Sequence, residues 1–146
     1  MLLSDTEAAY IAGIIDGEGS LSISKKENLR GHNPTYGLHF TVTNTNKLLL
    51  DWLRQKLRAG QITKKPRSNT NWKLCYQLVF ATSEIQTILE VVTPYLIVRK
   101  HQAQLVLEFL SLSWQQTGNQ KEKPVELVIE QELIYEELRA LNKRGA

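Results

Sequence analysis

The sequence predicts an α+β fold in which two β-hairpins join into one four-stranded antiparallel sheet with helices over one face. Two stretches, 20–43 and 61–81, alternate apolar and polar side chains and are each broken once by turn residues, as a hairpin with one buried and one wet face requires. The segments before, between and after them carry apolar residues at helical spacing. At 146 residues, 42% of them apolar, the chain has enough material for a core.

The first helix is the most strongly marked element. Ser4-Asp5-Thr6-Glu7 reads as a capping box, with Ser4 as N-cap, and predicts a helix over 5–16. Its centre, Ala8-Ala9-Tyr10-Ile11-Ala12-Gly13-Ile14-Ile15, has almost no polar face, the composition of a helix buried on all sides. Ala9, Gly13 and Gly17 recur at four-residue spacing and form a small-residue stripe along which a second backbone can approach. Glycine inside a helix costs about 0.5–1 kcal/mol against alanine, and a close helix–helix contact would offset that. An ordinary core helix would also hold small residues. What separates the two readings is the ending: Gly17-Glu18-Gly19 closes the helix, aims a carboxylate from its C-terminal end, and runs straight into alternating Ser20-Leu21-Ser22-Ile23.

In the first hairpin Leu21 and Ile23 face one way; Ser20, Ser22, Ser24, Lys26 and, further on, Asn28 and Arg30 face the other. Gly31-His32-Asn33-Pro34 is turn chemistry. The strand over 35–43 sets Tyr36, Leu38, Phe40 and Val42 against Thr35, Gly37, His39 and Thr41. Asn44 or Asn46 can cap a helix over 47–59, with Gly60 just past its end. A short strand over 61–65, a polar loop over 66–71 and a strand over 72–81 make the second hairpin, in which Trp72, Leu74, Tyr76, Leu78 and Phe80 oppose Lys73, Cys75 and Gln77. Ser83-Glu84 opens a helix carrying Ile85, Ile88, Leu89 and Val92, which Thr93-Pro94 interrupts. A long helix is expected over 95–114, with Val98, Leu105, Val106, Phe109 and Leu110 in the core. A polar linker over 116–123 leads to Pro124, placed to start a last helix over 125–143 whose exposed side is acidic. Residues 1–115 are thus expected to form the core domain, and 116–146 a linker and helix packed on it.

The net charge of +3 is unevenly spread. Between Lys25 and Lys73 stand eleven Lys/Arg and two acids, Glu27 and Asp51, a local net of +9; the rest of the chain is net −6. A basic segment that is also the strand-forming one suits a polyanion, and a nucleic-acid face on the polar side of the sheet is the expectation. No apolar run is long enough to span a bilayer, so no membrane partner is expected. The N-terminus lacks the basic and apolar regions of a secretory signal. A single cysteine, Cys75, rules out an intrachain disulfide framework and a zinc cluster built on cysteines. His32 sits in a turn, His101 has no ligand at metal spacing, and Trp52, Trp72 and Trp114 are read as core or interface.

Ile11-Ala12-Gly13-Ile14-Ile15-Asp16-Gly17-Glu18-Gly19 resembles the LAGLIDADG signature of the homing endonucleases, with conservative changes at Ile11, Ile14, Gly17 and Glu18. Both glycines and both acids of the signature are matched, and the resemblance covers about residues 5–115. It implies the order α-β-β-α-β-β-α, with extra C-terminal helices here, and a four-stranded antiparallel DNA-binding sheet. It also implies that the motif helix packs on its twin at a two-fold axis. The last acid of the signature, usually Asp and here Glu18, binds a divalent metal. Mg²⁺ takes few protein ligands, so Glu18 and the Gly17 carbonyl would suffice, with DNA phosphates completing the shell.

One chain supplies one motif, so a homodimer is implied, meeting through Ala9, Ala12, Gly13, Asp16 and Gly17 and cutting a near-palindromic double-stranded site. Asp16 is read as helping to fix the end of the motif helix. Two further catalytic positions carry over: Asn44, where the family often has Gln, and Arg99, beside Lys100, where it usually has Lys. Base readout is expected from Ser22, Ser24, Lys26, Asn28, Arg30, Thr35, His39, Thr41, Gln61, Thr63, Lys65, Arg67, Lys73 and Gln77. The resemblance implies double-strand cleavage that promotes intron or intein mobility, in a chloroplast or mitochondrion if organelle-encoded and otherwise in a prokaryotic cytoplasm. The alternatives on the same fold are a maturase that binds intron RNA and a cleavage-inactive DNA-binding regulator.

Overall fold

In a computed structural model of the protein the described residues are 2–27, 33–65, 71–112 and 123–143. Helix α1 (Asp5–Glu18) begins at the expected cap: Ser4 Oγ accepts from the Glu7 amide and Glu7 Oε1 from the Ser4 amide, each at 3.1 Å. Ala8, Ile11, Ala12 and Ile15 are buried on one side of it, and each large apolar side chain so buried contributes about 2 kcal/mol. The other side is not buried: Ala9, Tyr10, Gly13 and Gly17 face outward, so the helix is two-sided although its composition reads as apolar all round. Ala12 is fully buried in the chain's own core, which takes it out of the expected dimer contact.

Strands β1 (Gly19–Lys26), β2 (Thr35–Asn44), β3 (Gln61–Lys65) and β4 (Cys75–Phe80) form one sheet in the order β1-β2-β4-β3, every pair antiparallel. Leu21, Ile23, Phe40, Val42, Leu78 and Phe80 are buried under the helices. Between the second and third strands runs α2 (Lys47–Leu57), capped by Asn46, whose side chain accepts from the Leu48 amide at 3.0 Å. Asn44 instead closes a turn before it, its Oδ1 accepting from the Asn46 amide at 2.7 Å. The left-handed residue ending α2 is Arg58 (φ 51°), not Gly60. Gly60 is also left-handed (φ 92°), and a Cβ there would lie 2.6 Å from Leu78 Cδ1.

The fourth strand starts at Cys75 rather than 72, so Lys73 lies outside the ladder and Trp72 is 59% exposed, which leaves of its two readings the interface one. Helix α3 (Thr82–Val92) follows. Its N-cap Ala81 has no side-chain acceptor, and Glu84 alone reaches back, to the Ala81 amide at 2.8 Å and to that of Gly60 at 3.2 Å.

After a 3-10 turn (Thr93–Tyr95), α4 (Lys100–Ser111) begins five residues later than expected. Leu96 is extended and turned into the core, while Val98, expected there, is 67% exposed. The physical reason is Asp16, whose carboxylate gathers the amides of Ile97, Val98 and Arg99 and draws them out of a helix. Helix α5 (Val125–Asn142) packs on the helical side of β1 and against α4, burying Gln131, Ile134 and Leu138. Polar ties join it to the first hairpin: Glu132 accepts from Lys25 Nζ at 3.0 Å and from the Tyr36 hydroxyl, and Asn142 Nδ2 donates to the Leu21 carbonyl at 2.7 Å. No helix among the described residues is long and apolar enough to cross a membrane.

Candidate nucleic-acid and catalytic site

The sheet face away from the helices is largely polar. Register places Ser20 beside Thr41, Ser22 beside His39, Ser24 beside Gly37 and Lys26 beside Thr35 on β1 and β2. The other half of the face aligns Thr43 with Gln77 and Thr63, Thr41 with Val79 and Gln61, and Cys75 with Lys65. None of these side chains is buried. Strand alternation therefore puts Ser22, Ser24, Lys26, Thr35, His39, Thr41, Gln61, Thr63, Lys65 and Gln77 on one surface, as the sequence predicts. Lys73 is exposed beyond the start of β4. Asn28, Arg30 and Arg67 lie outside the described residues. Thr43 and Val79 also belong to the face; the same period of two carried one step past Thr41 would have found the first. On this surface the His39 ring and Ser24 Oγ are 2.9 Å apart, and a Cβ on Gly37 would crowd Ser24 Oγ at 2.9 Å.

At one end of the sheet three candidate residues come together by topology. Glu18 is the last residue of α1, one step before Gly19, which pairs with Val42. Asn44 ends β2 two residues past Val42 and pairs with Tyr76. Arg99 reaches the same end through its Nε, which donates to the Ile15 carbonyl at 3.1 Å. The Glu18 side chain is exposed and makes no hydrogen bond or ion pair among the described residues. Asp16, two residues earlier, is instead fully engaged with the amides of residues 97–99, so the two acids of the motif have opposite environments. Asp16 thus ties the end of its own helix to the start of α4.

Among the described residues no group of three or more His, Cys, Asp or Glu could hold a metal. His101 pairs with Glu137 at 2.9 Å, a contact between α4 and α5 at the surface. Over Gly13 and Gly17 there is open space: a Cβ built on either meets nothing within 4 Å. Beside the stripe, Tyr10 stands edge-on to Trp52, ring centroids 5.3 Å apart.

Comparison with known proteins accords with this arrangement. The family described as LAGLIDADG endonuclease matches residues 11–108, from the middle of α1 into α4. No curated protein matches the chain. Among solved structures, the archaeal intron-encoded homing endonuclease I-Vdi141I, complexed with DNA, is 22% identical with a TM-score of 0.76 over 97% of this chain and 87% of that one. The homing endonuclease I-CvuI, in complex with I-CreI target in the presence of 2 mM Mg with the DNA not cleaved, is 20% identical with a TM-score of 0.72 over 97% and 87%. The meganuclease I-SmaMI, bound to uncleavable DNA, is 20% identical with a TM-score of 0.63 over 95% of this chain and 45% of that one. At such identities the structures speak for the fold, which is that of the LAGLIDADG homing endonucleases. The family match spans well over half the sequence, and it includes both acids and both glycines of the motif: the chain belongs to the LAGLIDADG endonuclease family.

Proposed function

We propose that the protein is a site-specific DNA endonuclease that acts as a homodimer, requires Mg²⁺, and cuts both strands of a long near-palindromic site, promoting the mobility of an intron or intein. The observation that carries this is Glu18: an exposed carboxylate with no partner among the described residues, at the end of a helix, where that helix meets the rim of a largely polar sheet face.

A lone carboxylate with hard oxygen donors suits Mg²⁺, which keeps most of its waters and takes the rest of its shell from substrate phosphates. Glu18 and the Gly17 carbonyl would hold it, and when bound it would polarise the phosphoryl group and make a bound water acidic. The remaining work belongs to the chain. Asn44 orients water or phosphate at the rim. Arg99, anchored by Nε, has its other guanidinium donors without a bond among the described residues and can place positive charge on a phosphate oxygen. The sheet face offers Ser, Thr, Gln, His and Lys to base edges in a major groove, as a two-stranded ribbon does.

Two facts support the homodimer. The open stripe of Ala9, Gly13 and Gly17 would let an identical helix approach closely. A longer meganuclease is matched over less than half its length, so that two copies of this chain would stand where one of that protein does.

The test is cleavage selection from a randomised DNA library with Mg²⁺, run beside Glu18→Gln. One long near-palindromic site, cut on both strands by the unmodified protein alone, is the expected result. DNA held by both proteins and cut by neither would make it a regulator. Neither binding nor cutting would redirect the search to intron RNA.

A further inference from the structure

The end of α1 and the start of α4 are clasped in both directions. Asp16 Oδ2 accepts from the Ile97 amide at 2.9 Å, and Oδ1 from those of Val98 and Arg99 at 3.1 and 2.9 Å. In return Arg99 Nε donates at 3.1 Å to the carbonyl of Ile15, the residue before Asp16. Arg99 is the N-cap of α4 and has no side-chain cap of its own, so Asp16 supplies a carboxylate at that helix start from another element. Each charge meets the helix end of opposite sign: carboxylate at the start of α4, guanidinium at the end of α1. At the far end of α1 the Tyr95 hydroxyl donates to Asp5 Oδ1 at 3.0 Å, so the segment leading to Arg99 is pinned along the helix twice.

We infer that Asp16 is a positioning residue for Arg99: its carboxylate fixes the backbone from which the guanidinium reaches the rim beside Glu18, and its contribution to cleavage passes through Arg99. The inference rests on the endonuclease reading above, with Arg99 acting at the scissile phosphate. A neutral side chain of the same shape does not serve. In Asp16→Asn one oxygen can still take Val98 and Arg99, but the amide nitrogen then faces the Ile97 N–H, donor against donor. A shift of about 1 Å in a group that must meet a transition state can cost roughly a hundredfold in rate.

The experiment is single-turnover cleavage of the selected site by the unmodified protein, Asp16→Asn, Arg99→Ala and the double variant. DNA affinity without metal and the thermal midpoint are measured for each. Asp16→Asn should slow cleavage by roughly ten- to a hundredfold with affinity changed less than about twofold, and should slow nothing further in the Arg99→Ala background. Losses that multiply, cleavage at the unmodified rate, or affinity falling in step with rate would overturn the inference while leaving the endonuclease reading intact. An unmodified protein that cuts no DNA would overturn both. If Asp16→Asn does not fold, Asp16→Ser takes its place in the same cycle: its single hydroxyl oxygen cannot accept from all three amides, and the same outcomes support or overturn the inference.

Discussion

Helices α1 and α5 both pack on β1, and they do so by opposite means. The first enters the core with Ala8, Ile11, Ala12 and Ile15 and turns a bare stripe of Ala9, Gly13 and Gly17 outward. The second buries Ile134 and Leu138 and is otherwise tied by polar groups: Glu132 to Lys25 and Tyr36, Asn142 to the Leu21 carbonyl, and Glu137 to His101. Its outward side carries Val125, Ile129 and Leu133, all more than half exposed. A helix held mainly by apolar burial keeps its place across pH and salt, and the Glu18 carboxylate at its end is left to carry chemistry. A helix held by charge has a place that conditions can alter.

The largest effect expected lies at Glu18, the last residue of α1. Glu18→Gln should slow cleavage by at least roughly a thousandfold in a gel assay, since a metal supplies several kcal/mol of transition-state stabilisation. The thermal midpoint should not move, because the carboxylate bonds nothing among the described residues. A drop in midpoint would show that the end of α1 is structural after all.

Next, Ile11→Ala should cost about 3–4 kcal/mol in denaturant unfolding, as a fully buried side chain does. Ile129→Ala, 53% exposed on α5, should stay within about 0.5 kcal/mol. Equal losses would erase the contrast between the helices.

Smaller, but diagnostic, is Glu132→Gln, expected to cost about 1 kcal/mol at neutral pH. The Tyr36 hydroxyl first, then Lys25, hold the Glu132 carboxyl below its ordinary value of 4.5. A carboxyl lowered in the folded state stabilises fully above its unfolded value, and that contribution disappears as pH falls through the folded one. The unmodified protein should therefore lose stability more steeply than Glu132→Gln as pH drops below about 4.5. Parallel acid limbs would mean that α5 is not held by this charge.

The smallest stability change belongs to Gly13→Ala. Nothing lies within 4 Å of the added carbon, so the single chain should gain up to about 1 kcal/mol of helix stability. Sedimentation should show weaker self-association, because the carbon fills the space a second helix would occupy. Unchanged association would move the dimer contact elsewhere.

These contrasts were unevenly legible in the sequence. The cap of α1 is local chemistry within four residues, and the sheet face follows from a period of two, so both could be read directly. Composition alone could not say which side of α1 meets the core: Ala9 and Ala12 are the same residue type, and only packing separates them. Nor could it show Asp16 reaching amides 81 to 83 positions away, which is why the sequence pattern places the start of α4 too early and Val98 in the core. Arg58 took the left-handed position that Gly60 was expected to fill, a case of tertiary context outweighing local preference. The Lys25–Glu132 pair joins residues 107 apart and leaves no trace in any window of sequence.

That pair alters how the basic run counts toward nucleic-acid affinity. Lys25 lies on the helical side of β1, its side chain only 20% exposed, between Glu132 and Glu27. It cannot take a phosphate without abandoning both. Binding to a duplex releases counterions in proportion to the cations that replace them, about 0.9 per phosphate neutralised. A salt titration should therefore show a slope shallower than the eleven basic residues between Lys25 and Lys73 suggest. Freeing Lys25 by removing its acidic neighbours would leave that slope as it is, since the strand points the ammonium away from the sheet face proposed to meet the duplex.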